Sequence, residues 1–229
     1  MSTERLREAR QDAHREAATL TIFDLIALLI LAGLSAKNDW QLLGTSAWWV
    51  WLVVAAPVLA LSVRYLVGIG NLARESGRAF SKGLLIALGL GNMLGVFALV
   101  ATLTGLGGHQ PSGSQLLASG FAVLLTNVVT FALAFWELDA GGPIARALSD
   151  ERVTPDFEFP QDDNPNLATR GWEPRLTDYA YVALTNATAF SPTDVMPLTR
   201  RAKALMAVES TVSLTTVLIV AARAVNVLK

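Results

Sequence analysis

Long apolar runs, separated by shorter polar segments, make up most of this chain. Four of them, at residues 20–36, 46–68, 83–106 and 116–136, approach or exceed the roughly 20 residues that a helix needs to cross a bilayer. A fifth, at about 203–227, closes the chain. The pattern predicts an all-α fold, a polytopic transmembrane helical bundle with about five spanning helices.

The polar segments divide the chain into four parts. Residues 1–19 are predicted to form a charged N-terminal helix, and residues 20–139 a four-helix transmembrane region. A polar, acidic loop follows at 140–177. Residues 178–229 comprise a partly apolar segment and the last helix. Pro155, Pro160 and Pro165 oppose a continuous helix in the loop. We expect this loop to be solvated and partly extended. Alternatively, its acids form a cation-attracting vestibule or a site for a divalent cation.

Basic residues predict how the helices are oriented. The loop at 69–82 has three basic residues against one acid, whereas the loops at 37–45 and 107–115 carry little charge. The positive-inside rule places the basic loop in the cytoplasm. The N-terminal segment lies two crossings away, so it is predicted to be cytoplasmic as well.

Composition agrees with a membrane protein and excludes several kinds of site. Hydrophobic residues make up 52% of the chain and charged residues 16%, against about 25% in soluble domains. There is no cysteine for a disulfide or a zinc site, and the two histidines, His14 and His109, lie far apart. The net charge of -1 offers no basic surplus for nucleic acid. We therefore expect the lipid bilayer as a partner, no nucleic acid, no metal site and no cofactor.

Catalytic signatures are missing from the sequence. It contains neither an HExxH motif nor a nucleophile–base pair nor a carboxylate–histidine cluster. The Asp162-Asp163-Asn164 stretch lacks the alternating oxygen ligands, central glycine and closing glutamate of an EF-hand. We predict that the protein is not an enzyme and has no catalytic residues.

Small and amide residues in the third and fourth runs predict close helix packing. The third run has a small residue at every fourth position, which lets a second helix backbone approach within one chain or between chains. Asn92 lies beside this stripe, and Asn127 lies in the middle of the fourth run, so both can hydrogen-bond across helices. The predicted stripe comprises Gly83, Ala87, Gly91 and Gly95.

An acid lies within the first apolar run. A charged side chain inside a membrane costs a few kcal/mol unless it is paired or reaches an edge. Asp24 is within two turns of the start of the run, so it can reach the interface. Alternatively, it pairs with Arg64 near the end of the second run.

The last helix carries a polar stripe. Glu209, Ser213, Thr216 and Arg223 share one helix face, which must face protein or water rather than lipid. Glu209 and Arg223 are about 21 Å apart along the axis and cannot pair with each other. Glu209 is expected either to meet the basic cluster at residues 200–203 or to line a water-filled path.

Several segments resemble a known group of proteins. WELDAGGP at 136–143, FPQ at 159–161, GWEP at 171–174 and TNATAFSPTDVMPLTRRAKALM at 185–206 are similar to bacterial, largely actinobacterial, multi-pass membrane proteins of unknown function. The resemblance implies the bacterial inner (plasma) membrane as the location. The resemblance implies no particular activity.

The last fifty residues also resemble the pore module of two-helix potassium channels. Tyr181 precedes Asp194 by thirteen positions, Pro197 follows that aspartate by three, and Thr199 also fits the pattern. The resemblance implies a half-helix, a re-entrant loop and a lining helix at about 203–227. Ser, Pro and Thr at 191–193 stand where the filter has Gly-Tyr-Gly, so the usual potassium selectivity is not implied.

Residues 178–197 can therefore be re-entrant or cross the membrane fully, and we expect them to be re-entrant. The leading hypothesis is a channel-like homo-oligomer, a tetramer by analogy, that conducts small ions, with a cation favoured over an anion and a monovalent cation as the candidate ion. The alternative is a non-transporting membrane scaffold or accessory subunit that docks a soluble partner. The candidate ion path comprises Thr185, Thr188, Ser191, Thr193, Asp194, Glu209, Ser213 and Thr216.

Overall fold

α-Helices make up most of the chain in its computed structural model. The structure describes residues 3–42, 45–46, 48–67, 75–103, 112–143, 146, 154–164, 166, 172–191 and 194–227. Within them the α-helices are α1 (Thr3–Lys37), α2 (Trp48–Val67), α3 (Glu75–Leu103), α4 (Gly113–Leu138), α5 (Pro160–Asp163), α6 (Leu176–Ala189) and α7 (Arg200–Val227). The all-α prediction is therefore confirmed at the level of a helical fold.

Two short antiparallel strand pairs connect the helices. Strand β1 (Gln41–Leu42) pairs with β2 (Thr45–Ser46) in the connection between α1 and α2. Strand β3 (Phe157–Glu158) pairs with β4 (Met196–Pro197), so the acidic loop is joined to the segment that precedes α7.

Three helices are long and apolar enough to cross a membrane. In the part of the chain that the structure describes, they are the segments His14–Lys37, Gly113–Gly141 and Arg200–Ala222. Two shorter apolar helical stretches, Trp48–Val63 and Ile86–Ala101, lie in α2 and α3.

Several element boundaries differ from the prediction. The charged N-terminal segment and the first apolar run form one continuous helix, α1. Helix α3 begins at Glu75, so the second half of the predicted 69–82 loop is helical. Hydropathy identifies the apolar part of a helix, but charged residues with good helix propensity extend the helix beyond it.

Helix α4 lies at the centre of the bundle. It packs against α1, α3, α6 and α7, while α2 packs along α1 and α3. Ser112 caps its first turn by accepting a hydrogen bond from the backbone N–H of Gln115 at 3.2 Å. Its other end passes into a 3-10 turn, Asp139–Gly141, where Gly142 adopts a φ of 96° that favours glycine.

Large apolar side chains cover the outside of this bundle. Phe23 on α1, Leu90 on α3, Phe121 on α4 and Leu218 on α7 are each more than half exposed. A soluble monomer rarely exposes so much contiguous apolar surface. The outer surface therefore suits a hydrocarbon environment.

Helices α6 and α7 start at the same end of the bundle and run parallel. Tyr179, in the first turn of α6, binds Asp139 at the end of α4. Arg201, at the start of α7, binds the loop that follows α4. Asn186 lies two turns beyond Tyr179 on α6. It binds Glu209, which lies two turns beyond Arg201 on α7. Residues 190–199 therefore return the chain to the end where α6 began.

The small-residue stripe on α3 contributes to packing in only part of its length. A Cβ at Gly91 would lie 3.6 Å from the Val54 backbone of α2, and one at Gly95 would lie 3.3 Å from Val123 of α4. These two glycines allow close helix approach within the chain, as predicted. Ala87 is half-buried, and Gly83 is exposed with nothing within 4 Å of its Cβ position, so packing at Gly83, which would have to involve a second chain, stays a prediction.

Gly120 lies where α4 packs tightly against α7. A Cβ there would lie 2.5 Å from Val220 Cγ2. We expect Gly120→Ala to lower the free energy of unfolding by about 1–3 kcal/mol, because the added methyl overpacks the contact. Unfolding in detergent micelles measures the change. Gly33→Ala is the matched control, since nothing lies within 4 Å of that Cβ position. Equal stability of the two variants would contradict the prediction, and Val220→Ala should partly rescue Gly120→Ala.

Candidate functional site

A layer of buried polar side chains crosses the bundle near the middle of α4. We call it the polar layer. Each member is buried, and hydrogen bonds join the members across five helices. Its members are Asp24 on α1, Asn92 on α3, Thr126 and Asn127 on α4, Asn186 on α6, and Glu209 and Ser213 on α7.

Asn127 connects three helices within this layer. Its side-chain oxygen accepts a hydrogen bond from the Asn92 amide at 2.6 Å. Its own amide donates to the Ser213 hydroxyl at 2.8 Å and to the backbone carbonyl of Glu209 at 3.2 Å. The prediction that Asn92 and Asn127 bind across helices is confirmed.

Glu209 lies between α6 and α7 and is fully buried, with 0% exposure. The Asn186 amide donates to Glu209 Oε2 at 2.7 Å and to the Met206 carbonyl at 2.9 Å. Glu209 Oε1 has no hydrogen-bond partner among the described residues. A buried polar oxygen without a partner is costly, which makes this atom a candidate binding point for a proton, a water or a cation.

The expected pairing of Glu209 with the basic cluster is wrong. Arg201 instead donates two hydrogen bonds of 2.7 Å to Asp156, and the described salt bridges do not include Glu209. The predicted polar face of the last helix is otherwise confirmed, because Glu209, Ser213 and Thr216 all face protein. The side chain of Arg223 lies outside the described residues.

Asp24 is also fully buried, so it does not reach an exposed edge. Thr126 donates to Asp24 Oδ1 at 3.0 Å, and Asp24 Oδ2 has no partner among the described residues. The predicted alternative partner, Arg64, has a side chain outside the described residues. Asp24 therefore belongs to the polar layer, a role that was not predicted from the sequence.

The predicted filter hydroxyls that the structure describes are not joined to one another by hydrogen bonds. Thr185 and Thr188 donate to carbonyls of their own helix, Tyr181 at 2.9 Å and Leu184 at 2.8 Å, and their role in an ion path stays a prediction. Thr216 likewise donates to Val212 at 2.8 Å. Ser191 and Asp194 are exposed, away from the buried layer, and Thr193 lies outside the described residues.

A second polar group anchors the acidic loop at the end where α6 and α7 begin. We call it the loop-anchoring cluster, and it comprises Asp139, Arg146, Asp156, Tyr179, Thr199 and Arg201. Asp139 Oδ1 accepts from the backbone N–H of Asp156 at 2.6 Å and of Phe157 at 3.1 Å. Asp139 Oδ2 accepts from the Tyr179 hydroxyl at 2.5 Å and lies 3.7 Å from Arg146. Burial raises the pKa of Tyr179, so its hydroxyl stays protonated and donates.

The cluster corrects the prediction of a solvated loop. Asp156 is buried and accepts from Thr199 as well as from Arg201. Phe157 packs against Phe135 of α4 with ring centroids 5.0 Å apart, and Phe159 packs against Tyr179 at 5.4 Å. The prediction was therefore wrong for residues 156–159. The described groups of acids and histidines contain no set of three or more that could hold a metal ion.

Comparisons with protein-family models, curated proteins and solved structures find no match to this chain. The geometry of the polar layer and of the loop-anchoring cluster is therefore what bears on function.

Proposed function

We propose that this protein is an integral membrane protein that conducts small cations, with Glu209 as the central carboxyl of the path. One observation carries the proposal. Glu209 is fully buried in mid-bundle, one of its oxygens has no partner among the described residues, and none of the described salt bridges neutralises it. Acids inside membrane helices are costly, and they commonly mark ion paths and proton relays.

The arrangement of helices supports five crossings and a re-entrant segment. Helices α1, α4 and α7 are long and apolar enough to span, and we propose that α2 and α3, with shorter apolar stretches, span as well. We further propose that α6 enters the membrane and residues 190–199 leave it on the same side, since α6 and α7 start at one end and run parallel.

Charge distribution supports a cytoplasmic N-terminus in a bacterial plasma membrane. Glu16 of α1 accepts a hydrogen bond from the backbone of α6 at Leu176, so this part of α1 lies at the same end as the loop-anchoring cluster. Basic residues gather at that end, which the positive-inside rule assigns to the cytoplasm. They include Arg15, Arg146, Arg175, Arg200, Arg201 and Lys203.

We also propose that the conducting form is a homo-oligomer, with a tetramer favoured by analogy. Among the three long apolar helices, α7 is the least buried within the chain. Its outward face combines Val208, Leu214 and Leu218 with the Thr211 hydroxyl. A second copy packed there would cover that surface.

Flux through purified protein in liposomes tests the proposal. We expect Glu209→Gln to lower cation flux about tenfold or more, because the amide cannot carry the charge that attracts or exchanges a cation. Asp163→Asn is the matched control, since that acid is exposed on α5. The proposal fails if folded Glu209→Gln protein conducts every tested ion as the unchanged protein does.

A scaffold that docks a soluble partner is the second candidate, and one observation favours it. Helix α1 has 35 residues, which corresponds to about 52 Å, against a hydrocarbon core of about 30 Å. Its charged first turns therefore extend well past a bilayer. Deleting residues 3–13 should abolish capture of a partner from native membranes if this function holds, and should leave liposome flux intact if the protein is a channel.

A further inference from the structure

The two buried carboxyls of the polar layer are held in the same way. Asp24 and Glu209 both have 0% exposure. One oxygen of each accepts a hydrogen bond from an uncharged donor, Thr126 for Asp24 and Asn186 for Glu209. The other oxygen of each, Asp24 Oδ2 and Glu209 Oε1, has no partner among the described residues. Both acids contact α4. Asp24 accepts from Thr126, and the backbone carbonyl of Glu209 accepts from the adjacent Asn127.

No described ion pair compensates either carboxyl. The described salt bridges join Asp139 to Arg146, Glu16 to Arg175 and Asp156 to Arg201. The other titratable residues of the helices around these two acids lie toward the helix ends: Glu4, Arg5, Arg7, Glu8, Arg10, Asp12, His14, Arg15 and Lys37 on α1, Arg64 and Tyr65 on α2, Glu75, Arg78 and Lys82 on α3, Glu137 on α4, Asp178, Tyr179 and Tyr181 on α6, and Arg200, Lys203 and Arg223 on α7. An unpaired carboxylate in an apolar interior is expected to take up a proton.

The chemistry around each carboxyl disfavours a metal cation. Hard metal cations take about six or more oxygen ligands. The described side-chain group that binds the Glu209 carboxyl is the Asn186 amide N–H, a donor, while the Asn186 oxygen already accepts from Ser210 at 3.0 Å. The Asn127 oxygen and the Ser213 hydroxyl are similarly engaged, and the further unpartnered oxygen of the layer, Asn92 Oδ1, belongs to an amide that already donates to Asn127. A single unpartnered oxygen per carboxyl fits a proton.

We infer that the cation handled in the polar layer is the proton, and that Asp24 is a second proton-binding carboxyl beside Glu209. The inference rests on the proposed cation conduction and names its ion. Each acid would exchange its proton at the oxygen that lacks a partner. The uncharged donor on the other oxygen would hold the carboxyl in place in both states.

Two measurements on the full-length protein test the inference. Proton uptake into liposomes is followed with trapped pyranine under a potential set by potassium and valinomycin, and rubidium uptake is followed by tracer in parallel. Infrared difference spectra between acid and alkaline pH report the C=O stretch of protonated carboxyls. The variants are Asp24→Asn and Glu209→Gln, with Asp163→Asn as the control and size-exclusion profiles to verify folding.

The expected result is proton flux without rubidium flux, lowered about tenfold or more by each core variant and unchanged in the control. The spectra should also show a protonated-carboxyl band that weakens in Asp24→Asn and in Glu209→Gln. Rubidium flux that depends on Glu209, with no such band, would overturn the proton inference and leave cation conduction standing. Absence of flux for both ions from folded protein would overturn both.

Discussion

Asp139→Ala is expected to lower the free energy of unfolding by about 3–5 kcal/mol, the range for removing one partner of a buried charged pair. The substitution removes the acceptor of the backbone N–H groups of Asp156 and Phe157. It also leaves the buried Tyr179 hydroxyl without its acceptor. It also removes the carboxylate 3.7 Å from Arg146. Chemical unfolding of the purified protein in detergent micelles measures the change.

Two variants separate the carboxylate from the general effect of substitution in this region. Asp139→Asn keeps an oxygen that can accept from the backbone, so its cost should be smaller, about 1–3 kcal/mol. Asp163→Ala removes an exposed acid from α5 and should change stability by no more than about 0.5 kcal/mol. If Asp139→Ala unfolds at the same denaturant concentration as Asp163→Ala, the loop-anchoring cluster does not stabilise the fold.

Helix α4 shows what the sequence predicts well. Its apolar run was predicted at 116–136, and the helix spans Gly113–Leu138. The run contains no charged residue and no proline, Ser112 supplies an N-terminal cap, and a Gly-Gly-Pro sequence follows its end, so every local signal agrees. Helix α3 was predicted less well at its start, because residues 75–82 are charged and small yet helical.

The polar layer was predicted in part. Spacing along one helix correctly indicated that Glu209, Ser213 and Thr216 share a buried face. Spacing cannot identify the partners, because Asn186 and Asn127 come from other helices, the latter 82 positions away along the chain. Pairing of Glu209 with nearby basic residues was expected from proximity in sequence, but the aspartate of the acidic loop binds Arg201 instead.

Asn186 is the functional candidate that the sequence reasoning missed. The candidate ion path predicted from the sequence does not include it. A signal was nevertheless present, since Tyr179, Val182, Ala183 and Asn186 fall at i, i+3, i+4 and i+7 and form the buried face of α6. An amide on the buried face of a helix requires hydrogen-bond partners, which here lie on α7.

Asn186→Leu is expected to lower cation flux about tenfold or more. The substitution removes the described side-chain donor to the Glu209 carboxyl. A hydrogen bond to a charged group contributes about 1.5–3 kcal/mol, and about 1.4 kcal/mol corresponds to a factor of ten in rate. Thr188→Val is the matched control on α6, because that hydroxyl is exposed and donates only to its own helix. Flux through both variants is measured in liposomes at equal protein density.

A double variant distinguishes an effect through Glu209 from general damage. If Asn186 acts by holding the Glu209 carboxyl, then Asn186→Leu combined with Glu209→Gln should conduct no less than Glu209→Gln alone, because the group that the amide positions is already gone. Independent effects would instead multiply, giving about a hundredfold loss. Flux through Asn186→Leu equal to that through the unchanged protein would show that the amide has no part in the path. The threonines of α6 would be excluded from it only if Thr188→Val and Thr185→Val both conduct like the unchanged protein.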